Sequence, residues 1–336
     1  MSAWLEKVWY GKGYWWLMLL PLTVIYRSAL TMRKLLYRYQ KVPLYRPRVP
    51  VIIVGNITVG GTGKTPLTLA LVRHFKAMGY KPGVVSRGYG GKASRYPHAV
   101  QESDLASVSG DEPLLIKKQT QCPVVVDPDR SRGLRFLIED LECNLIISDD
   151  GLQHYRLKRD IEIVVVDGLR ELGNGHCLPA GPLREPACRL QQVDFVVSNG
   201  GRSSQDNYSM MLRPTAYYSM DRLSKLPPTA FSGTMVNGVA GIGNPERFFT
   251  TLEQLGLKVI RNVFPDHHHF VPEDIKFDND YPVVMTEKDA VKFKGDPLLS
   301  SAISSNVGVW YLEVESELPE AFYIALDQKL SSILPL

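Results

Sequence analysis

The chain has 336 residues, 44% of them hydrophobic and 22% charged, with a net charge of only +4. That composition excludes a disordered polypeptide, and the small net charge gives no reason to expect a nucleic-acid partner. The length exceeds what one compact core usually holds and predicts two domains.

The N-terminal segment, residues 1–45, is read as a helical element at a membrane surface. From Glu6 onward it carries Lys7, Lys12, Arg27, Arg33, Lys34, Arg38 and Lys41, and Arg46 and Arg48 follow with no further acid. Its apolar core, Tyr14 to Tyr26, is about thirteen residues, short of the roughly twenty that span a bilayer. Pro21 interrupts it, and no small-residue cleavage site follows to mark a signal peptide. A buried core helix is the competing reading. Trp4, Trp9, Trp15 and Trp16, flanked by Lys and Arg, favour the surface instead. Indole rings prefer the headgroup boundary, and cations there meet anionic lipid. Peripheral attachment on the cytoplasmic side is the expectation.

From Val49 short apolar runs alternate with helical stretches: 49–55, 82–86, 123–127, 144–150, 161–168 and 195–200, with helices over Leu67–Met78 and Arg130–Leu141. Val- and Ile-rich runs with little alternation suit parallel strands buried on both faces. Residues 46–225 are therefore predicted to form a doubly wound, mostly parallel sheet, with ligands at the carboxyl ends of its strands. A Pro pair near 227–228 breaks the rhythm, and residues 226–336 are read as a second, smaller α/β domain. Its elements are a strand near "VNGVAGIG", a helix over Pro245–Leu255, and strands near "LKVIRNV", "YPVVMT" and "VGVWYLEV". Cys122, Cys143, Cys177 and Cys188 show neither C-x-x-C spacing nor a pairing with nearby histidines at metal-ligand spacing, so reduced cytosolic thiols fit better than disulfides or zinc.

The first run leads into "VGNITVGGTGKTP". A glycine loop between a buried strand and a helix lets backbone N–H groups approach phosphate oxygens. Thr58 stands where the usual G-x-x-x-x-G-K-[ST] pattern has glycine, but the rest of the loop, Val59, Gly60, Gly61, Thr62, Gly63, Lys64 and Thr65, is intact where phosphates would lie. Lys64 is expected to reach the outer phosphates of ATP, and the Thr65 hydroxyl to ligate Mg²⁺. The loop resembles that of the deviant P-loop ATPases and GTPases, although Val59 replaces their usual lysine. Asp149 and Asp150, ending "LIISDD", are the best-placed metal-directed acids, because adjacent carboxylates repel unless a cation lies nearby. Asp127 and Asp167 are read as structural. "TEKDA" at 286–290 has the wrong spacing for guanine recognition, since Glu287 separates Thr286 from Lys288.

Taken with "SRGYGG", "SGDEP", "DDGLQHYRLKRD", "GNGHCLPAGPLREP", "FPDHHHF" and "TEKDAVK", the loop makes the chain resemble the tetraacyldisaccharide 4′-kinase family of lipid A biosynthesis. The resemblance implies a P-loop NTPase-like domain with a smaller domain across a cleft. It also implies transfer of the γ-phosphoryl of ATP to the 4′-hydroxyl of tetraacyldisaccharide 1-phosphate, a lipid A precursor, forming lipid IVA. The site would be the cytoplasmic face of the bacterial inner membrane, with the glycolipid as partner. Lys64 and Thr65 match the family's loop lysine and metal-binding threonine. Asp149, Asp150 and Glu185 match its acids near Mg²⁺, with no choice among them. Asp111 matches a general base, and His267 a histidine supporting it. Arg87, Tyr89 and Arg184 are weaker candidates for substrate contact. Pairing Asp111 with His267 across two domains is expected to need closure of the cleft. The competing function is a P-loop GTPase or ATPase switch for metal delivery or protein targeting.

Overall fold

The computed structural model describes residues 3–39, 44–201, 207–220, 223–293 and 308–333. The expected strands appear as β1 (Val51–Gly55), β2 (Pro82–Ser86), β4 (Val124–Val126), β5 (Leu145–Asp149), β6 (Ile161–Asp167) and β7 (Phe195–Asn199), with a short β3 (His98–Ala99) at the edge. They lie in the order β3-β4-β2-β5-β1-β6-β7, all parallel except β3. Val51, Ile52, Ile53 and Val54 are fully buried, which is why β1 reads as an uninterrupted apolar run. Helices α3 (Lys64–Ala77), α5 (Asp111–Thr120) and α6 (Arg130–Glu139) belong to this half, as does the single turn α4 (Ala106–Ser109). The Asp129 side chain caps α6 by accepting a bond from Ser131 N at 3.0 Å.

The sheet then continues through β8 (Tyr208–Ser219), which pairs in parallel with β7 at one end and antiparallel with β13 (Val309–Glu317) along the rest. Beyond it lie β12 (Val283–Thr286), β10 (Met235–Ala240) and β11 (Lys258–Val263), with α7 (Pro245–Gln254) and α8 (Glu287–Phe293), while β9 (Lys225–Leu226) adds to β8. Among the described residues the result is one 13-stranded, mostly parallel sheet. Two apolar cores flank the β1 half, and two smaller ones, around Phe293 and Phe249, flank the β10 half. The C-terminal helix α9 (Glu320–Ser331) returns to the first half, where Phe322, Leu326 and Leu330 join the core beside Phe195, and Asp327 meets His74 at 2.8 Å.

The N-terminal segment forms α1 (Ala3–Tyr10), a 3₁₀ turn at Trp15–Leu19 and α2 (Leu20–Arg38). Two expectations are corrected here. Pro21 does not interrupt the helix: it sits in the first turn of α2, where a missing N–H is no loss. The helical run Trp15–Arg38 is therefore 24 residues, long and apolar enough to cross a membrane by length and composition alone. Nor do all four tryptophans face outward. Trp4 and Trp15 are exposed, but Trp9 is buried and donates Nε1 to Pro179 O at 2.9 Å, and Trp16 stacks on His176. Thr23 is the one buried residue of α2, so this is not a core helix. Thr23, Tyr26, Leu30, Lys34 and Tyr37 line its inner face at helical spacing, whereas Leu22, Val24, Ile25, Met32, Leu35 and Leu36 stand exposed.

Candidate functional site

The loop between β1 and α3 occupies the sheet position that doubly wound folds reserve for ligands. Gly60 and Gly63 adopt φ of 109° and 97°, a region side chains avoid. At Gly63 a Cβ would also collide with the Asn199 amide. Asn199 Nδ2 donates to Thr62 O at 2.9 Å, and Asn56 Nδ2 to Gly60 O at 3.3 Å, so two amides brace the turn. Thr58, the missing glycine, bridges to Leu183, while Val59 N donates to Pro182 O and Arg184 N to Ile57 O. A second strand-like segment thus supports the loop, and this backbone pairing accommodates a side chain at position 58.

Asp149, at the end of β5, is fully buried. Its Oδ1 accepts from Thr68 at 3.3 Å, while Oδ2 is buried without a partner. Burial, then the charges of Glu112 and Asp150, push its carboxyl up to about 7 against the pull of Lys64 and Arg130. Asp150 behaves oppositely. Burial opposes its ionisation, but Lys64 at 3.5 Å, Arg184 at 3.4 Å and nearby Arg130 outweigh it and hold the carboxyl below its ordinary value. Arg130 is itself buried and spans Asp127 O and Asp149 O, fixing the strand end.

An orphaned carboxylate oxygen at a strand end beside the phosphate loop suits a hard divalent cation. Among the described residues no three His, Cys, Asp or Glu side chains converge on a metal site. Mg²⁺ does not require that, because it keeps waters and takes one or two carboxylates plus phosphate oxygens. Thr65, Asp149 and Asp150 fit such a shell. Glu185 is placed differently: fully buried, it pairs with Lys34 of α2 at 2.6 Å and Arg189 at 3.5 Å. Gln153 ties it to the loop by donating to both Glu185 Oε1 and Asn56 O, each at 3.1 Å. Asp127 and Asp167 hold structure, Asp127 binding Arg132 and Asp167 binding Asn244 and Arg247.

The second half supplies the opposite wall. A cleft runs between Gly61–Thr65 and the residues Ile242, Asn244, Phe248, Thr286 and Lys288. Gly243 packs against Gly61, leaving no room for a side chain on it. The "GIGNP" and "TEKDA" turns therefore belong to the site. Both signals stand in the sequence, but the first reads there only as a strand end and the second only as a failed guanine motif.

Asp111 opens α5 and is 4% exposed. His267 Nδ1 lies 2.9 Å from its Oδ2 and 3.1 Å from Oδ1, and Glu112 N donates to Oδ1 at 2.9 Å. The pair expected to need closure is made in this structure. The histidine triplet divides cleanly, since His268 bonds Asp274 and stacks on Phe264. Burial opposes ionisation of Asp111, but Lys288, the bond and charge of His267, and Lys292 together bring its carboxyl down to about 2. The exposed Tyr89 ring stands 4.7 Å from the His267 ring, at the mouth of an adjoining cavity that also reaches Asp111. Arg87 is exposed near Arg130, and Arg184 is committed to Asp150.

The family model described as tetraacyldisaccharide-1-P 4′-kinase matches residues 15–331. A protein of Hahella chejuensis named tetraacyldisaccharide 4′-kinase is 48% identical, covering 99% of this chain and 98% of its own. One of the same name from Alcanivorax borkumensis is 47% identical over 99% of this chain and 98% of its own. Among solved structures, the kinase LpxK of Aquifex aeolicus, crystallised with ATP, superposes with a TM-score of 0.75 at 27% identity, covering 94% of this chain and 99% of that one.

Proposed function

The chain belongs to the tetraacyldisaccharide-1-P 4′-kinase family and is a kinase of lipid A biosynthesis, and on that premise we propose that it phosphorylates the 4′-hydroxyl of tetraacyldisaccharide 1-phosphate from ATP. The observation that carries the residue assignment is the 2.9 Å contact between Asp111 and His267 beside the phosphate-loop cleft. In this reading Asp111 accepts the proton as the hydroxyl oxygen bonds to the γ-phosphorus. The bridging P–O bond breaks, and ADP leaves with its electron pair. A carboxylate held near 2 is a weak base, which suits a loose transition state in which the hydroxyl gives up its proton late. His267 orients the carboxylate through Nδ1, and Lys64 neutralises the outer phosphates. Thr65, Asp149 and Asp150 would hold Mg²⁺, which when bound supplies charge neutralisation at the β- and γ-oxygens. Tyr89, beside His267, is placed to contact the incoming sugar.

Residues 46–225 and 226–336 are read as the two domains whose facing edges form the cleft. The exposed apolar face of α2 supports contact with lipid, so that acyl chains stay in the membrane while the sugar reaches Asp111. On this reading the enzyme works at the cytoplasmic face of the inner membrane. Incubation with γ-labelled ATP, Mg²⁺ and disaccharide 1-phosphate in detergent micelles tests the reading. Labelled lipid is the expected product; ATP hydrolysis indifferent to lipid would point to a switch NTPase instead.

A further inference from the structure

The "TEKDA" turn is unexplained by the reaction as written, yet Lys288 sits in the wall facing the phosphate loop. Its ammonium is 2.8 Å from Glu112, 3.4 Å from Asp266 and 3.9 Å from Asp111. A cation shared among three carboxylates is an unusual use of charge beside a cleft that must accept a polyphosphate. Of the other cations lining the cleft, Arg247 is held by Asp167 at 2.8 Å, and Lys64, 3.5 Å from Asp150, approaches from the loop side. Lys292, further along α8, is held by Asp289 at 2.8 Å and Gly241 O at 3.3 Å. A lysine on its four-carbon stem can exchange one anionic partner for another without moving its backbone.

We propose that Lys288 is a further catalytic residue, whose ammonium leaves Glu112 and Asp266 for the terminal phosphate of the bound nucleotide. The phosphoryl group is then held between Lys64 on one wall and Lys288 on the other. Movement of Lys288 also takes a positive charge from beside Asp111, leaving that carboxylate with His267 and Lys292 as its cationic neighbours and Glu112 and Asp266 as its anionic ones. Its proton affinity therefore rises as the phosphoryl donor arrives. This inference rests on the nucleotide reading of the cleft but not on the role given to Asp111.

The experiment uses the full chain in detergent micelles and compares binding of a non-hydrolysable ATP analogue with that of ADP, both with Mg²⁺. Only the analogue carries a terminal phosphate. Lys288→Met is expected to weaken the analogue roughly ten- to hundredfold, the usual worth of a hydrogen bond to a charged group, and ADP by less than about twofold. Lys288→Arg should recover most of the difference and covers the case in which the methionine variant fails to fold. A residue that merely latched α8 to α5 would weaken both nucleotides alike, and that outcome, or no change in either, overturns the proposal. A wild-type protein that bound neither nucleotide would overturn the nucleotide reading along with it, whereas near-normal turnover by Asp111→Ala would leave it standing.

Discussion

Two buried carboxylates of the same half, one ending β5 and one opening α5, are driven in opposite directions. Asp149 rises to about 7, and Asp111 falls to about 2. Burial raises both, so the neighbours decide. Asp149 has Glu112 and Asp150 close by and one oxygen without a partner, whereas Asp111 is ringed by His267, Lys288 and Lys292. The first environment is short of a cation and suits a site that acquires one with its substrate. The second already holds its cations and keeps a carboxylate ionised at every working pH. On the proposed reading, metal binding and proton acceptance fall to separate carboxylates.

The contrast can be broken most forcefully at Asp149. Replacing it with Asn should cost on the order of a thousandfold in turnover if it ligates Mg²⁺, with excess Mg²⁺ restoring part of the loss. His267→Ala should cost less, roughly ten- to hundredfold in kcat, because it orients the base without taking the proton. ATP affinity measured alongside should stay unchanged.

Stability sharpens the same comparison. Asp111 has a depressed pKa, so its contribution is fully present above 3.8 and is lost as pH falls toward 2. Asp111→Asn should therefore destabilise the protein at pH 8 by about 2 kcal/mol. Asp149 has a raised pKa, so ionising it withdraws stability as pH climbs from 3.8 to about 7. Asp149→Asn should consequently raise the melting temperature of metal-free protein at pH 8 by several degrees. Equal signs for the two variants would break the contrast. The smallest effect belongs to Lys34→Met, which strips a 2.6 Å partner from fully buried Glu185. Because Lys34 is itself 32% exposed, we expect a loss of only about 1–2 kcal/mol, read by denaturant unfolding.

The loop wall is largely legible in the sequence because it is local. A strand, a glycine turn and a helix follow one another, and Asp149 and Asp150 end an unmistakable apolar run. The opposite wall is not, because it is assembled by tertiary packing: "GIGNP" meets the phosphate loop only when β10 and β1 lie in one sheet. β8 escapes notice for a different reason. Pro214 interrupts its pattern, and a register shift against Glu313 and Val314 absorbs the irregularity. Helix α2 reads as too short because Pro21 looks like a break, when it stands in the first turn. Asp111 looks like an ordinary cap until His267, 156 positions away, is brought against it. Glu185 matches a metal-side acid by motif, yet its contacts tie the phosphate loop to the N-terminal helix.

The assignment of Asp111 is tested most directly by single-turnover transfer from γ-labelled ATP to the glycolipid, with enzyme saturated in nucleotide. Asp111→Ala is predicted to slow transfer by about a thousandfold while binding ATP as the wild type does. Transfer at a near-normal rate would contradict the account, because among the described residues no other carboxylate bonds His267 Nδ1 and could take the proton in its place.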